Sequence, residues 1–260
     1  MIDLTGKTAL VMGVANAKSI ALQIGRTLKK AGGRVLYTYE GDRTKIAVRQ
    51  IVDSDDLIFP CNVLEDNEIQ ALVQSLKDHK ITLDVVVHAI AYAAPSSLTQ
   101  VEKVSRPDFN LAMDISAHSL IAGVAALEPL LNRRCSIMTL SYIGGTRAVP
   151  SYGMMGIEKA ALESSVRYLA VSYGRGGKEI RVNAISCGPL PTTSSRAIPD
   201  FSRFEEFHAK GSAFGRNISY EEVANTALFL ASTLSQGITG QILFVDAGFS
   251  MMIPPLDDHD

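Results

Sequence analysis

The sequence predicts an α/β fold: one domain built on a doubly wound parallel sheet with helices on both faces. Three observations carry that expectation. Short β-branched runs alternate with longer helical patterns from end to end, which implies parallel strands joined by right-handed crossovers. The run Asp84-Val85-Val86-Val87-His88 is almost continuously apolar, as in a strand buried on both faces. No composition shift, Pro/Gly-rich linker or internal repeat divides the 260 residues, so residues 1–260 are expected to fold as a single domain.

Taken in order, Thr8–Met12 is a strand-like run closed by Gly13. Ile20, Ile24 and Leu28 lie four apart on one face of a helix over Ile20–Lys30. Arg34–Tyr39 reads as the second strand, 43–52 as a helix, and 57–59 as a short third strand. Residues 65–77 place Ile69, Leu72, Val73 and Leu76 on one face, a further amphipathic helix. A long helix is expected within 106–131, a strand at 136–140 and a helix over 153–173. Residues 180–185 read as a strand, 221–231 as a helix and Ile242–Val245 as the last strand. The stretch 188–219 has no clear period. A loop of that length in a compact domain is commonly a lid or a binding loop, and a surface excursion with a short helix at 204–210 fits it as well.

Composition narrows the function. Hydrophobic residues make up 47% and charged residues 20%, an ordinary globular balance. A net charge of −2 gives no electrostatic reason to expect nucleic acid or a membrane surface as partner. Cys61, Cys135 and Cys187 are widely spaced with no CxxC pair, the usage of a reducing compartment rather than of a disulfide scaffold or zinc module. They read as buried small hydrophobes. The histidines (His79, His88, His118, His208, His259) show no metal-ligand spacing, so no metal is expected, and His88 reads as a strand-end residue. Residues 1–7 hold an acid and no apolar stretch, which predicts no secretory signal. The uncharged run 223–245 is long enough for a bilayer, but its middle, 232–241, is a polar turn. A cytoplasmic protein is expected, with the Asp257-Asp258-His259-Asp260 tail solvated.

In open parallel sheets, ligands sit beyond the carboxyl ends of the strands where the strand order reverses. The first strand–helix junction is Gly13-Val14-Ala15-Asn16-Ala17-Lys18-Ser19-Ile20-Ala21. Gly13 allows a tight turn, Ala15 lets the backbone approach a pyrophosphate, and Ser19 offers a hydroxyl at a helix N-terminus, where free N–H groups attract anions. The same residues fit a strand terminator and a helix cap. Glu40 ends the second strand, where an acid commonly holds the adenine ribose hydroxyls and repels a 2′-phosphate. That favours NADH over NADPH; Arg43 and Lys45 nearby blunt the preference, and a solvated strand end is the alternative. Tyr152 and Lys159 are seven apart, hence on nearly the same helix face and roughly 10 Å apart along the axis. One face can present a phenol to substrate and an ammonium to a cofactor ribose, the charge lowering the phenol's pKa. An aromatic helix entry followed by a surface lysine gives the same spacing.

In their order along the chain, these motifs resemble the short-chain dehydrogenase/reductase family and, more closely, its enoyl-acyl-carrier-protein reductases. The residues are Gly13-Val14-Ala15-Asn16 with Ser19-Ile20-Ala21, His88-Ala89-Ile90-Ala91-Tyr92-Ala93 and Leu140-Ser141-Tyr142-Ile143-Gly144-Gly145. Tyr152 through Lys159, Arg181-Val182-Asn183-Ala184-Ile185-Ser186 with Gly188-Pro189, and Val245-Asp246-Ala247-Gly248-Phe249 complete the set. The resemblance implies a Rossmann-like dinucleotide-binding and catalytic domain with a substrate lid at about 188–219. It implies hydride transfer from NADH to C3 of a trans-2-enoyl thioester on acyl carrier protein or coenzyme A. Tyr152 would then donate to the thioester oxygen, Lys159 would fix the nicotinamide ribose, and Tyr142 would shape the acyl pocket and share in protonation. Ile20, Asn62, Val63, Ile90, Leu190, Pro191 and Thr192 would touch the cofactor. Ala93, Met155, Ile198 and Phe201 would line an acyl channel, with ordinary core packing the alternative for Met155 and Phe201. Family members are usually homotetramers paired through the helix bearing Tyr152 and Lys159.

The chain departs from the family pattern at several points. Asn62 stands for an acid, Gly153 for an asparagine, Pro191 for an arginine, Glu158 for a small residue and Cys187 for an alanine. Two other readings follow from the same residues. A ketone or alcohol oxidoreductase of the broader family would use Ser141 rather than Tyr142, and a catalytically silent dinucleotide sensor would keep only the fold. Arg196, Arg203, Lys210 and Arg216 could meet an acidic carrier protein, but Asp200, Glu205 and Glu206 nearly cancel them.

Overall fold

The computed structural model describes residues 2–193, 195–198 and 200–252; the tail 257–260 lies outside the described residues. The strands are β1 (Thr8–Met12), β2 (Arg34–Tyr39), β3 (Leu57–Pro60), β4 (Leu83–His88), β5 (Leu131–Ser141), β6 (Arg181–Cys187) and β7 (Ile242–Val245). They form one sheet in the order β3-β2-β1-β4-β5-β6-β7, with every pairing parallel. The helices are α1 (Ile20–Lys30), α2 (Asp42–Arg49), α3 (Asp66–Asp78), α4 (Arg106–Met113), α5 (Ser119–Leu127), α6 (Gly153–Gly174), α7 (Phe201–Gly211) and α8 (Tyr220–Ala231).

Strand side chains alternate between faces, and each face is covered by helices. Leu10, Met12, Leu36 and Val86 pack with Leu72 and Leu76 of α3, Leu120 and Val124 of α5, and Leu162 and Val166 of α6. Ala9, Val11, Val35, Tyr37, Val85 and Val87 point the other way, against Leu22, Ile24 and Leu28 of α1 and Val223, Ala227 and Leu230 of α8. This is the doubly wound arrangement that the alternation predicted.

Four elements differ from expectation, the slightest being α2, which closes at Arg49 rather than 52. The helix expected within 106–131 is broken: α4 passes through a π turn at Asp114–His118 into α5, and a 3₁₀ turn at Glu128–Leu130 follows. Pro129 in that last turn cannot continue an α-helix. The stretch Arg106–Leu130 is apolar and long enough to cross a bilayer, with 44% of its most apolar window buried. It packs on α3 and α6 and carries buried Ser116 and Ser119. Strand β5 starts at Leu131, ahead of the expected 136, because polar Asn132-Arg133-Arg134 are tolerated at an end where Arg133 and Arg134 pair with Glu179. The stretch 188–219 contains a full helix, α7, that begins at Phe201 rather than 204.

Candidate active site

Strand order reverses between β1 and β4, so a crevice opens at their carboxyl ends. Gly13 leaves β1 with φ +94°, and a Cβ there would lie 2.1 Å from the Ala89 carbonyl oxygen and 3.2 Å from Ile90 Cγ1. Only glycine lets the two strand exits pass so closely. Ser19 stands at the cap position of α1, yet its side chain makes no bond to the helix. Its Oγ accepts from the Ala15 and Asn16 amides at 3.0 and 3.1 Å, pinning the turn instead. Asn16 Nδ2 donates to Thr193 Oγ1 at 2.8 Å, tying the turn to the segment after β6. Ala15 is exposed and Ile20 half-buried.

Along the crevice toward β2 and β3, Glu40 follows β2 and is exposed, while Lys45 is drawn over the Tyr39 ring. Asn62 donates its backbone N–H to Glu68, and its Oδ1 accepts from the Leu64 amide at 3.1 Å. The carbonyl expected to face adenine therefore already serves a turn, with one lone pair and the amide NH₂ to spare. Val63 and Ile90 pack against the larger core cluster. Beyond β6, Leu190 is buried and its carbonyl accepts from Ser195 Oγ at 2.6 Å, while Thr192 Oγ1 accepts from the Ser195 amide. Pro191, between them, is half-buried.

Tyr152 immediately precedes α6, and Gly153 follows it with φ +35°. A Cβ at 153 would sit 2.5 Å from the Leu98 carbonyl oxygen, which explains glycine where a side chain was expected. Lys159 Nζ donates to the Leu140 carbonyl at 3.0 Å. Tyr152, Gly156 and Lys159 all meet the Gly144–Gly145 turn that follows β5. Phenol and ammonium thus share one helix face, as the seven-residue spacing predicted, and both are buried.

Tyr142 packs edge-on to Tyr152, ring centroids 4.7 Å apart, and its hydroxyl lies 2.6 Å from His208 Nε2. Ile198 and Phe201 join this cluster, with Met155, Phe204 and Phe249 against it. Ala93, on the loop after β4, is not part of it. Ser141 Oγ donates to Glu163 Oε1 at 2.6 Å, so its hydroxyl is turned into α6. His88 ends β4, as its sequence position predicted, and is buried there with its ring bonded to Thr139 of β5 and Ser119 of α5; burial pulls its pKa down to about 3.

The charge balance departs from expectation. Burial drives the Tyr152 phenol well above its ordinary pKa, with the charge of Glu158 adding to that push. Lys159 does not lower it: burial depresses the lysine itself, while Glu158 pulls the other way. Tyr152 is therefore held as a phenol, a hydrogen-bond donor. Glu158 is buried with neither oxygen bonded among the described residues. Burial lifts its pKa to about 8, Lys159 opposing. The adjacent Ser116 hydroxyl is committed to the Tyr92 backbone, accepting at 2.9 Å and donating at 3.2 Å. Cys187, at the end of β6, is buried, and burial moves its thiol up to about 11. Sequence reasoning missed His208 and the Ser141–Glu163 bond. The spacing of Phe201, Phe204 and His208 on one face of α7 was the available signal for the first.

Among the described residues, the acids placed to hold a cation are Asp53, Asp55 and Asp56. Lys29 Nζ already occupies that position, 2.7 Å from Asp53 and 2.6 Å from Asp56.

A phenol and an ammonium on one helix face, beside the switch point of a doubly wound sheet, put the chain in the short-chain dehydrogenase/reductase class. Within that class it belongs to the enoyl-(acyl carrier protein) reductase family, whose family model matches residues 13–250. It is 43% identical over 258 residues to the enoyl-acyl-carrier-protein reductase (NADH) FabI of Nostoc sp., covering 97% of this chain and 99% of that protein. Against the Bacillus subtilis protein of the same name, identity is 40% over 252 residues, covering 95% and 97%. The crystal structure of the Aquifex aeolicus enoyl-acyl-carrier-protein reductase (NADH) superposes with TM-score 0.92 at 42% identity, covering 96% of this chain and 98% of that one. The Anaplasma phagocytophilum reductase, solved in complex with NAD, gives TM-score 0.92 at 35% identity, covering 99% and 97%.

Proposed function

We propose that this protein reduces the C2=C3 double bond of trans-2-enoyl thioesters on acyl carrier protein, the enoyl-reduction step of fatty-acid biosynthesis, with NADH as reductant. Coenzyme A thioesters share the reacting group and serve as the laboratory substrate. The observation that carries this reading is the pair of phenols, Tyr142 against Tyr152, in an apolar cluster from which the Ser141 hydroxyl is turned away. A ketone or alcohol reductase would need that serine at the carbonyl.

The dinucleotide is assigned to the crevice beside Gly13, where the backbone passes bare because any Cβ would collide with Ala89. Gly13, Ala15, Ser19 and Ile20 would hold the pyrophosphate side, Glu40 the adenine ribose, and Asn62, Val63 and Ile90 the adenine side. Leu190, Pro191, Thr192 and Lys159 would hold the nicotinamide end. Bound NADH supplies a hydride for C3. The chain's own work is at the thioester oxygen, where negative charge develops. Tyr152, kept protonated by burial, donates there, and a donor aimed at developing charge stabilises the transition state more than the ground state. Lys159, anchored on the Leu140 carbonyl, supports that charge and orients the ribose. Tyr142 faces the same oxygen. Ala93, Met155, Ile198 and Phe201 line the acyl channel, the last three from the cluster around Tyr142 and Tyr152.

We assign residues 188–219 as the lid of a single domain spanning 1–260, because α7 lays Phe201, Phe204 and His208 over Tyr142. NADH is preferred over NADPH because the Glu40 carboxylate would repel a 2′-phosphate. The protein works in the cytoplasm as a homotetramer paired through α6, whose outer face exposes Ile157, Tyr168 and Val171.

The test is NADH oxidation followed at the nicotinamide absorbance, with a crotonyl thioester and then an acetoacetyl thioester. Consumption with the crotonyl substrate is expected. Consumption with only the keto substrate would make it a carbonyl reductase, and NADH binding without turnover on either would make it a sensor.

A further inference from the structure

The Tyr142 phenol has a partner that enoyl reduction as set out above does not use. His208 of α7 places Nε2 2.6 Å from the Tyr142 hydroxyl. The imidazole is only 3% exposed. It stacks on Phe249 with ring centroids 3.8 Å apart and planes 25° apart, and Phe204 tilts against it at 4.7 Å. A ring held between neighbours in this way has little freedom to turn, so the direction of its bond to Tyr142 is fixed. Tyr142 is held in turn, its ring packed against those of Tyr152 and Phe204.

We propose that His208 is a positioning residue for enoyl reduction, orienting the Tyr142 hydroxyl as a hydrogen-bond donor toward the thioester oxygen; this rests on the enoyl-reductase reading. The geometry explains how. Burial lowers the imidazole to about 4 against the pull of Asp246, so the ring is neutral in use and carries one N–H. With that hydrogen on Nε2, His208 donates to the phenol oxygen, and the phenol's own hydrogen is left for an acceptor outside the pair. The reverse arrangement, in which Tyr142 donates to Nε2, would offer substrate only lone pairs. Negative charge growing on the thioester oxygen favours the first arrangement. No bond in the pair breaks, and His208 keeps its hydrogen throughout. Since His208 rides on α7, the seating of that helix and the aim of the Tyr142 hydroxyl are set together.

The experiment is steady-state kinetics of the full chain with NADH and crotonyl-coenzyme A. His208→Leu fills similar space without a nitrogen, and His208→Gln returns an N–H at similar reach. The leucine variant should lower kcat about tenfold, the value of one well-aimed hydrogen bond, and leave the KM for NADH unchanged. The glutamine variant should recover most of that loss, and His208→Leu should add nothing in a Tyr142→Phe background. Undiminished kcat, equal losses in both variants, or a full tenfold effect without the Tyr142 hydroxyl would each overturn the proposal. Should neither variant fold, imidazole ¹⁵N shifts of the wild type decide: the Nε2–H tautomer is expected, and the Nδ1–H tautomer overturns it. A wild type that fails to oxidise NADH with crotonyl-coenzyme A removes the enoyl-reductase reading. An active wild type indifferent to His208 removes only this inference.

Discussion

Glu158→Gln should flatten the pH dependence of stability. Among the described residues the wild-type carboxyl is buried with neither oxygen hydrogen-bonded, and its pKa rises from 4.5 to about 8. Between those values the folded state keeps a proton that the unfolded chain releases, so wild-type stability falls as pH rises through that window. Each pH unit across it is worth about 1.4 kcal/mol, and the whole window roughly 5 kcal/mol as an upper value. Above pH 8 the carboxyl is ionised in both states and the loss is complete. Glutamine has no proton to release. It carries its own cost as a buried amide, roughly 1–3 kcal/mol, but that cost does not change with pH. The assay is urea unfolding of both proteins at pH 5.5 and pH 8.5, at matched protomer concentration. The stability of the variant relative to wild type should rise by roughly 3–4 kcal/mol between the two conditions. A difference that stays constant within about 1 kcal/mol would mean that Glu158 is already ionised in the fold, and the reasoning fails.

The pair on α6 should separate by function. Tyr152→Phe should cut turnover by roughly two orders of magnitude with little change in NADH affinity, as expected for loss of a donor at a developing oxyanion. Lys159→Ala should damage both, read from kcat and from NADH fluorescence titration. Equal turnover by wild type and Tyr152→Phe would remove the phenol from the mechanism. Gly13→Ala forces a methyl group to within 2.1 Å of the Ala89 carbonyl oxygen, so NADH affinity should fall at least tenfold by titration; unchanged affinity would mean that the dinucleotide does not lie at this turn. Glu40→Ala should narrow the preference for NADH over NADPH in kcat/KM, and an unaltered ratio would place the ribose elsewhere.

Much of the architecture was legible in the sequence because it is written in local periodicity. Thr8–Met12, Ile20–Lys30, Arg34–Tyr39 and Ile242–Val245 lie where their patterns put them. The Tyr152–Lys159 spacing gave the shared helix face. What escaped depends on contacts between elements distant in sequence. Arg133 and Arg134 look like a loop until Glu179 pairs with them. The π turn at Asp114–His118 has no sequence period of its own. His208 looked like one more unpatterned histidine because its partner is 66 positions away on another element. The expected lowering of the Tyr152 pKa failed for a related reason. Helical spacing places the lysine, but only packing reveals how deeply the phenol is buried and how close Glu158 stands.

The bond from Lys159 to the Leu140 carbonyl fastens the ammonium to the main chain of β5 just two residues before Tyr142. Strand end, ammonium and second phenol are thereby tied together through a single peptide group. A substitution deep in that strand, such as at fully buried Ile137 or Met138, can reach the chemistry by tugging on this anchor without approaching any ligand. Changes in turnover from such remote positions should travel through the strand and leave the glycine turn on the far side of the crevice untouched.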